Sequence, residues 1–149
     1  MPTYLDTSAL LRMVENRGDL AKVDAALRGE PLTASLAELE CWAAINKKWH
    51  DGEITAPQRD ELLAVATTLL EAVNLMTTDD EVLTEAFAMT RLHPLRTLDG
   101  LHLASAEVAN RVLLRRGHAV RFCTADRRQA DAAARHFGAD QVDFVPPWR

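Results

Sequence analysis

Five short apolar runs separated by longer stretches of helical periodicity leave few folds open to this chain. The runs are Thr3-Tyr4-Leu5, Pro31–Ala34, Val73–Met76, Ala119–Thr124 and Val142–Val145. Each is too short for a helix of its own, and each reads as a buried strand. Strands that alternate with helices imply a parallel sheet covered on both faces, because every parallel connection has to cross back over the sheet. The expected fold is therefore α/β, a three-layer α/β/α sandwich around a mostly parallel sheet. At 149 residues it reads as a single domain, 1–149.

The helical stretches carry their own punctuation. Asp19 to Arg28 repeats Leu20, Val23, Ala26 and Leu27 and closes at Gly29; Ser35 to Gly52 carries Leu36, Leu39, Trp42, Ile45 and Trp49. Thr55-Ala56-Pro57 opens a helix with proline near its first position, and Thr78-Asp79-Asp80-Glu81 places acids at the positive end of another helix dipole. Leu98 to Arg116 and Arg127 to Phe137 complete the set, stopped by Gly117 and Gly138. The stripe of Trp42, Ile45 and Trp49 reads as core, with a groove for a partner as the alternative.

Two strand candidates end almost directly on an acid: Asp6 after the first and Asp126 after the fourth. In an open parallel sheet such strand ends form the crevice where ligands bind. The bland reading of each acid is helix capping, although Thr7 and Ser8 are cap candidates for the helix after Asp6. Glu40 and Asp99 sit instead inside apolar helical contexts, where a carboxylate needs a cation, a metal or hydrogen-bond donors. Carboxylates gathered together raise one another's pKa, and a hard divalent cation with all-oxygen ligation, magnesium or manganese, offsets the repulsion. His102, three residues after Asp99, reads as a packed helix histidine, since such a site has little need of imidazole.

The net charge of −5, from 17 Lys and Arg against 22 Asp and Glu, lowers the prior for nucleic-acid binding without excluding it. Basic residues need only line the approach to an acidic centre, and Lys47-Lys48 and Arg127-Arg128 could do so. No apolar run approaches the roughly 20 residues of a membrane span, and the N-terminus lacks a signal-peptide pattern, so a cytoplasmic location is expected. Cys41 and Cys123 read as buried, reduced thiols.

The stretches Tyr4-Leu5-Asp6-Thr7-Ser8-Ala9-Leu10, Thr33 to Glu40, Leu98-Asp99-Gly100-Leu101-His102-Leu103-Ala104 and Thr124-Ala125-Asp126-Arg127-Arg128 together resemble the ordered acidic motifs of the PIN-domain nucleases. Within that family they look most like the VapC-type toxin ribonucleases of toxin–antitoxin systems. The resemblance implies an endoribonuclease dependent on Mg2+ or Mn2+, commonly a homodimer, inhibited by a VapB-like antitoxin. It places the acidic quartet on Asp6, Glu40, Asp99 and Asp126, with Thr7, Ser8 and Thr124 able to support the acids. Glu38 competes with Glu40 for the second position but points in a different direction on the helix. Glu40 is chosen because Cys41-Trp42-Ala43-Ala44-Ile45 continues from it toward Gly52 as in the family. Gly100 stands where the family more often has alanine. The alternatives are a non-catalytic binding module of the same fold and a phosphatase of the haloacid-dehalogenase type, which would have a second acid where Ser8 stands.

Overall fold

The computed structural model describes residues 1–147. Its strands are β1 (Pro2–Leu5), β2 (Glu30–Ala34), β3 (Asn74–Met76), β4 (Arg121–Thr124) and β5 (Val142–Phe144). The helices are α1 (Thr7–Glu15), α2 (Ala21–Arg28), α3 (Ala37–His50), α4 (Ala56–Glu71), α5 (Asp80–Leu92), α6 (Thr97–Leu114) and α7 (Arg127–Phe137). Every strand and helix expected from the sequence is present, with ends shifted by a few residues at most. The four strand pairings are all parallel, in the order β3-β2-β1-β4-β5.

Alternation along the strands divides the core. Leu5 and Cys123 join α1, α2, α3 and α4 on one face, while Tyr4 and Phe122 join α5, α6 and α7 on the other. Period-2 side-chain alternation makes that division automatic once the parallel register is set. Local chemistry fixes the helix ends. Thr55 and Gln58 form a reciprocal capping box on α4, with Pro57 in its first turn. Asp79 caps α5 through Val82 N at 3.0 Å.

The apolar stripe of α3 departs from its expected role. Ile45 is buried, but Trp42 and Trp49 remain 39% and 37% exposed and Leu39 72% exposed. Helical periodicity locates an apolar face without saying whether the chain's own core covers it. The Trp49 ring is instead covered by the Arg59 guanidinium, 4.0 Å above it. Gly100 has a packing reason to lack a side chain: a Cβ there would meet Thr90 Cγ2 at 2.7 Å, where α6 crosses α5. Cys41 and Cys123 are free and buried, and burial pushes both thiols up to about 12.

Candidate active site

The strand order reverses direction across β1 and β4, because β1 leads outward to β2 and β3 and the chain then returns to the other side of β1. A crevice opens beyond the carboxyl ends at such a switch point. Asp6 follows β1 there and continues its ladder, its N–H donating to Cys123 O at 3.1 Å. Asp126 stands two residues beyond Thr124, the end of β4.

Asp6 itself caps α1, which corrects the expectation that Thr7 or Ser8 would do so. Ala9 N donates to Asp6 Oδ1 at 3.1 Å, and Ser8 Oγ donates to the same oxygen at 2.6 Å. Thr124 Oγ1 donates to Oδ2 at 2.5 Å. The same two hydroxyls accept from Ala125 N and Asp126 N at 2.9 and 3.0 Å, so the turns after β1 and β4 are tied together through Asp6. Burial, to 4% exposure, raises the Asp6 pKa, opposed first by His102 and then by the bonds from Ser8 and Thr124. Asp126 is likewise the N-cap of α7, its Oδ1 accepting from Arg128 N at 2.8 Å and Gln129 N at 3.4 Å. Capping uses part of each carboxylate; about four acceptor positions are available to the group.

The other two acids come from first turns of helices. Glu40 Oε1 accepts from Thr7 Oγ1 at 2.9 Å and lies 2.6 Å from His102 Nε2. Glu40, rather than Glu38, is therefore the acid joined to the β1 turn. Asp99 caps nothing, since Arg96 holds the N-cap position of α6 without a side-chain bond. Its Oδ2 is buried with no hydrogen-bond partner, and Arg96 Nε stands 3.8 Å away. Burial and then the charge of Asp126 push its pKa above the usual carboxylate value of 3.8; Arg96 and His102 oppose this, and Glu40 adds to it. Asp99, Asp126 and Glu40 thus share one electrostatic field.

An open cleft of about 570 Å³ is lined by Glu40, Leu95, Arg96, Thr97, Leu98 and Asp99. Among the described residues, no three His, Cys, Asp or Glu side chains form a ready-made metal-holding group. The donor set nonetheless fits a magnesium-like ion, which takes one or two carboxylates and keeps several waters. The Asp99 oxygen without a hydrogen bond and the raised pKa of this acid are the features a closer cation would relieve. Of the basic pairs, Lys47 is bound to Asp51 at 2.5 Å and Lys48 to Glu15 at 2.7 Å, while Arg127 lies over the Phe144 ring. Arg96, whose side chain is largely exposed, is the basic group in the cleft wall.

Two residues of this centre were not legible as such. His102 is packed, as expected, at 3% exposure, yet both its ring nitrogens are bonded into the site, Nδ1 lying 2.7 Å from the Tyr4 hydroxyl. Its spacing from Asp99 was the available signal. Gln129 is fully buried, and its Nε2 donates to the Asp99 carbonyl at 2.9 Å, holding the start of α6 against α7.

The whole architecture is shared with a solved structure, a toxin–antitoxin complex from Klebsiella pneumoniae, at a TM-score of 0.60 and 16% identity over 95% of both chains. That likeness is one of fold. Comparison with curated proteins gives no match. The model of the PIN domain matches residues 3–135, a span that contains all four acids and the strands and helices that carry them. The chain therefore belongs to the PIN domain family.

Proposed function

We propose that the protein is a Mg2+- or Mn2+-dependent endoribonuclease, the toxin of a VapBC-type toxin–antitoxin system, hydrolysing RNA phosphodiester bonds. PIN domains are typically nucleases, and the similar Klebsiella structure is a toxin–antitoxin complex. The observation that carries the reading is the buried Asp99 oxygen that takes no hydrogen bond, is met only by Arg96 at 3.8 Å, and lies within the field of Asp126 and Glu40. A half-buried carboxylate among other acids is costly unless a cation meets it, and Arg96 at 3.8 Å meets this one only loosely.

Asp6, Asp99 and Asp126 would hold the metal directly or through its waters, with Glu40 completing the shell or orienting the nucleophilic water. When bound, the cation supplies a water of lowered pKa and neutralises charge developing on the phosphate. Asp6 keeps its carboxylate fixed through Ser8, Thr124 and Ala9, and Arg96 attracts the phosphate backbone toward the cleft. A phosphatase with Asp6 as nucleophile is disfavoured because Ser8 stands where such an enzyme has its second acid. A VapB-like antitoxin, a homodimer and a cytoplasmic location belong to this proposal; no helix among the described residues is long and apolar enough to cross a membrane.

The test is cleavage of a mixed-sequence RNA pool with Mg2+ or Mn2+, with and without chelator. Cleavage that requires the metal and disappears in Asp99→Asn is expected. Metal-independent cleavage, or activity retained by Asp99→Asn, would overturn the assignment, and no cleavage by wild type would favour a binding module.

A further inference from the structure

Tyr4, Thr7, Glu40 and His102 form a hydrogen-bonded chain that ligation by acids does not require. Tyr4 Oη lies 2.7 Å from His102 Nδ1. His102 Nε2 lies 2.6 Å from Glu40 Oε1 and 3.1 Å from Thr7 Oγ1. Thr7 Oγ1 donates to the same glutamate oxygen at 2.9 Å. The four contacts require Nε2–H to donate toward Glu40 and Thr7, while Nδ1 accepts from the Tyr4 hydroxyl in the neutral ring or donates to it in the imidazolium.

The packing makes this chain rigid at its inner end. Tyr4 is fully buried on β1, stacked on Phe122 with ring centroids 5.6 Å apart and planes 12° apart. The His102 ring meets Tyr4 edge-on, with centroids 5.8 Å apart. Glu40, by contrast, has a long side chain on a helix whose N-cap residue, Leu36, supplies no side-chain bond. Its Oε1 is the anchored atom; Oε2 takes no part in the chain, and the residue lines the cleft with Asp99.

We propose that His102 is a positioning residue, transmitting the fixed geometry of Tyr4 to Glu40 so that the second carboxylate oxygen is held toward the cleft. It touches neither substrate nor reacting atoms. A glutamate with several rotatable bonds would otherwise sample many orientations, and a small misplacement of a reacting group is costly in rate. Partners that orient an acidic site in this way are commonly worth about 10- to 100-fold in activity or metal affinity.

The kinetic arm of the test rests on the nuclease reading; the spectroscopic arm does not. In the metal-free protein, 15N-resolved imidazole spectra should place the His102 proton on Nε2, with a change at Nδ1 in Tyr4→Phe. An Nε2 without a proton, or no response to Tyr4→Phe, overturns the proposal. For RNA cleavage, His102→Leu should lower kcat by about 10- to 100-fold with KM unchanged, and His102→Gln, whose amide can replace the Nε2 donor, should recover most of it. Tyr4→Phe, which keeps the buried ring, covers the case in which His102→Leu fails to fold. Its loss of kcat should vanish in a Glu40→Gln background, because residues acting through one another are not additive. Equal losses in both backgrounds, or full activity of His102→Leu, would overturn the role. Should wild type cut no RNA, the nuclease reading falls while the imidazole spectra still decide the positioning.

Discussion

Asp6 and Asp126 stand at strand ends and cap the helices that follow, whereas Glu40 and Asp99 stand on helices and cap nothing: distant side chains hold the Glu40 carboxylate, and only Arg96 faces that of Asp99. In the proposed site the first pair would serve stability and chemistry at once. Glu40 is anchored across the fold by Thr7 and His102, and Asp99 retains a buried oxygen with no hydrogen bond, 3.8 Å from Arg96. The contrast divides the proposed site into a fixed floor, Asp6 and Asp126, and a wall, Glu40 and Asp99, that a cation would complete. It also means that substitutions of the four acids should differ in stability even where they agree in activity.

The largest effect on stability is expected at Asp6. Asp6→Ala removes an N-cap, worth about 1 kcal/mol, and leaves the Ser8 and Thr124 hydroxyls without an acceptor at about 1–3 kcal/mol per buried group. A total loss of roughly 2–4 kcal/mol by urea unfolding is expected, below the simple sum because the two hydroxyls, 3.1 Å apart, can bond each other and because the substitution also removes a buried carboxylate whose pKa burial raises. A loss no greater than that of Glu40→Gln would erase the distinction between floor and wall. Thr124→Val keeps the shape and removes the donor to Asp6 and the acceptor for Asp126 N, so it should cost about 1–2 kcal/mol in the same measurement.

Asp99 should behave in the opposite sense. A carboxyl whose folded pKa is raised is favoured by folding when protonated, so its contribution is fully present below 3.8 and is lost as pH rises through the folded value. Asp99→Asn cannot ionise and avoids that loss. Because the side chain is still 22% exposed, the gain at pH 7 should be modest, up to about 1 kcal/mol, and should shrink as pH falls toward 4. A variant less stable than wild type at pH 7, read by thermal unfolding, would contradict the repulsion assigned to Asp126 and Glu40.

The smallest effect lies just behind the wall, where Gly100 meets Thr90. Alanine normally gains about 1 kcal/mol over glycine inside a helix, but here its Cβ would press on Thr90 Cγ2. Gly100→Ala should therefore stabilise more in a Thr90→Ser background than in wild type, by a few tenths of a kcal/mol. Equal effects in the two backgrounds would show that Thr90 yields freely.

The same contrast explains what could be read from the chain before its fold. Capping acids after apolar strand runs are local patterns, and Asp6 and Asp126 declare themselves within three residues of sequence. The bonds that join Glu40 to His102 and His102 to Tyr4 span 62 and 98 residues, and no periodicity encodes them. The apolar helical context of Glu40, the residues that follow it and the order of the acidic motifs pointed to this acid; its partners did not. The exposed Trp42 and Trp49 failed as core residues for a related reason: an apolar stripe states a preference for burial, and the burying surface lies elsewhere in the chain or on another molecule. Phe87, 79% exposed on α5, carries the same ambiguity.

The central claim is that floor and wall act as one metal site, and calorimetric titration of Mn2+ into the metal-free protein tests it most directly. The account predicts saturable binding by wild type that weakens at least about tenfold in each of Asp6→Asn, Glu40→Gln, Asp99→Asn and Asp126→Asn, with all four variants folded. Wild-type affinity in Asp99→Asn, the acid whose oxygen without a hydrogen bond carries the proposal, would contradict it.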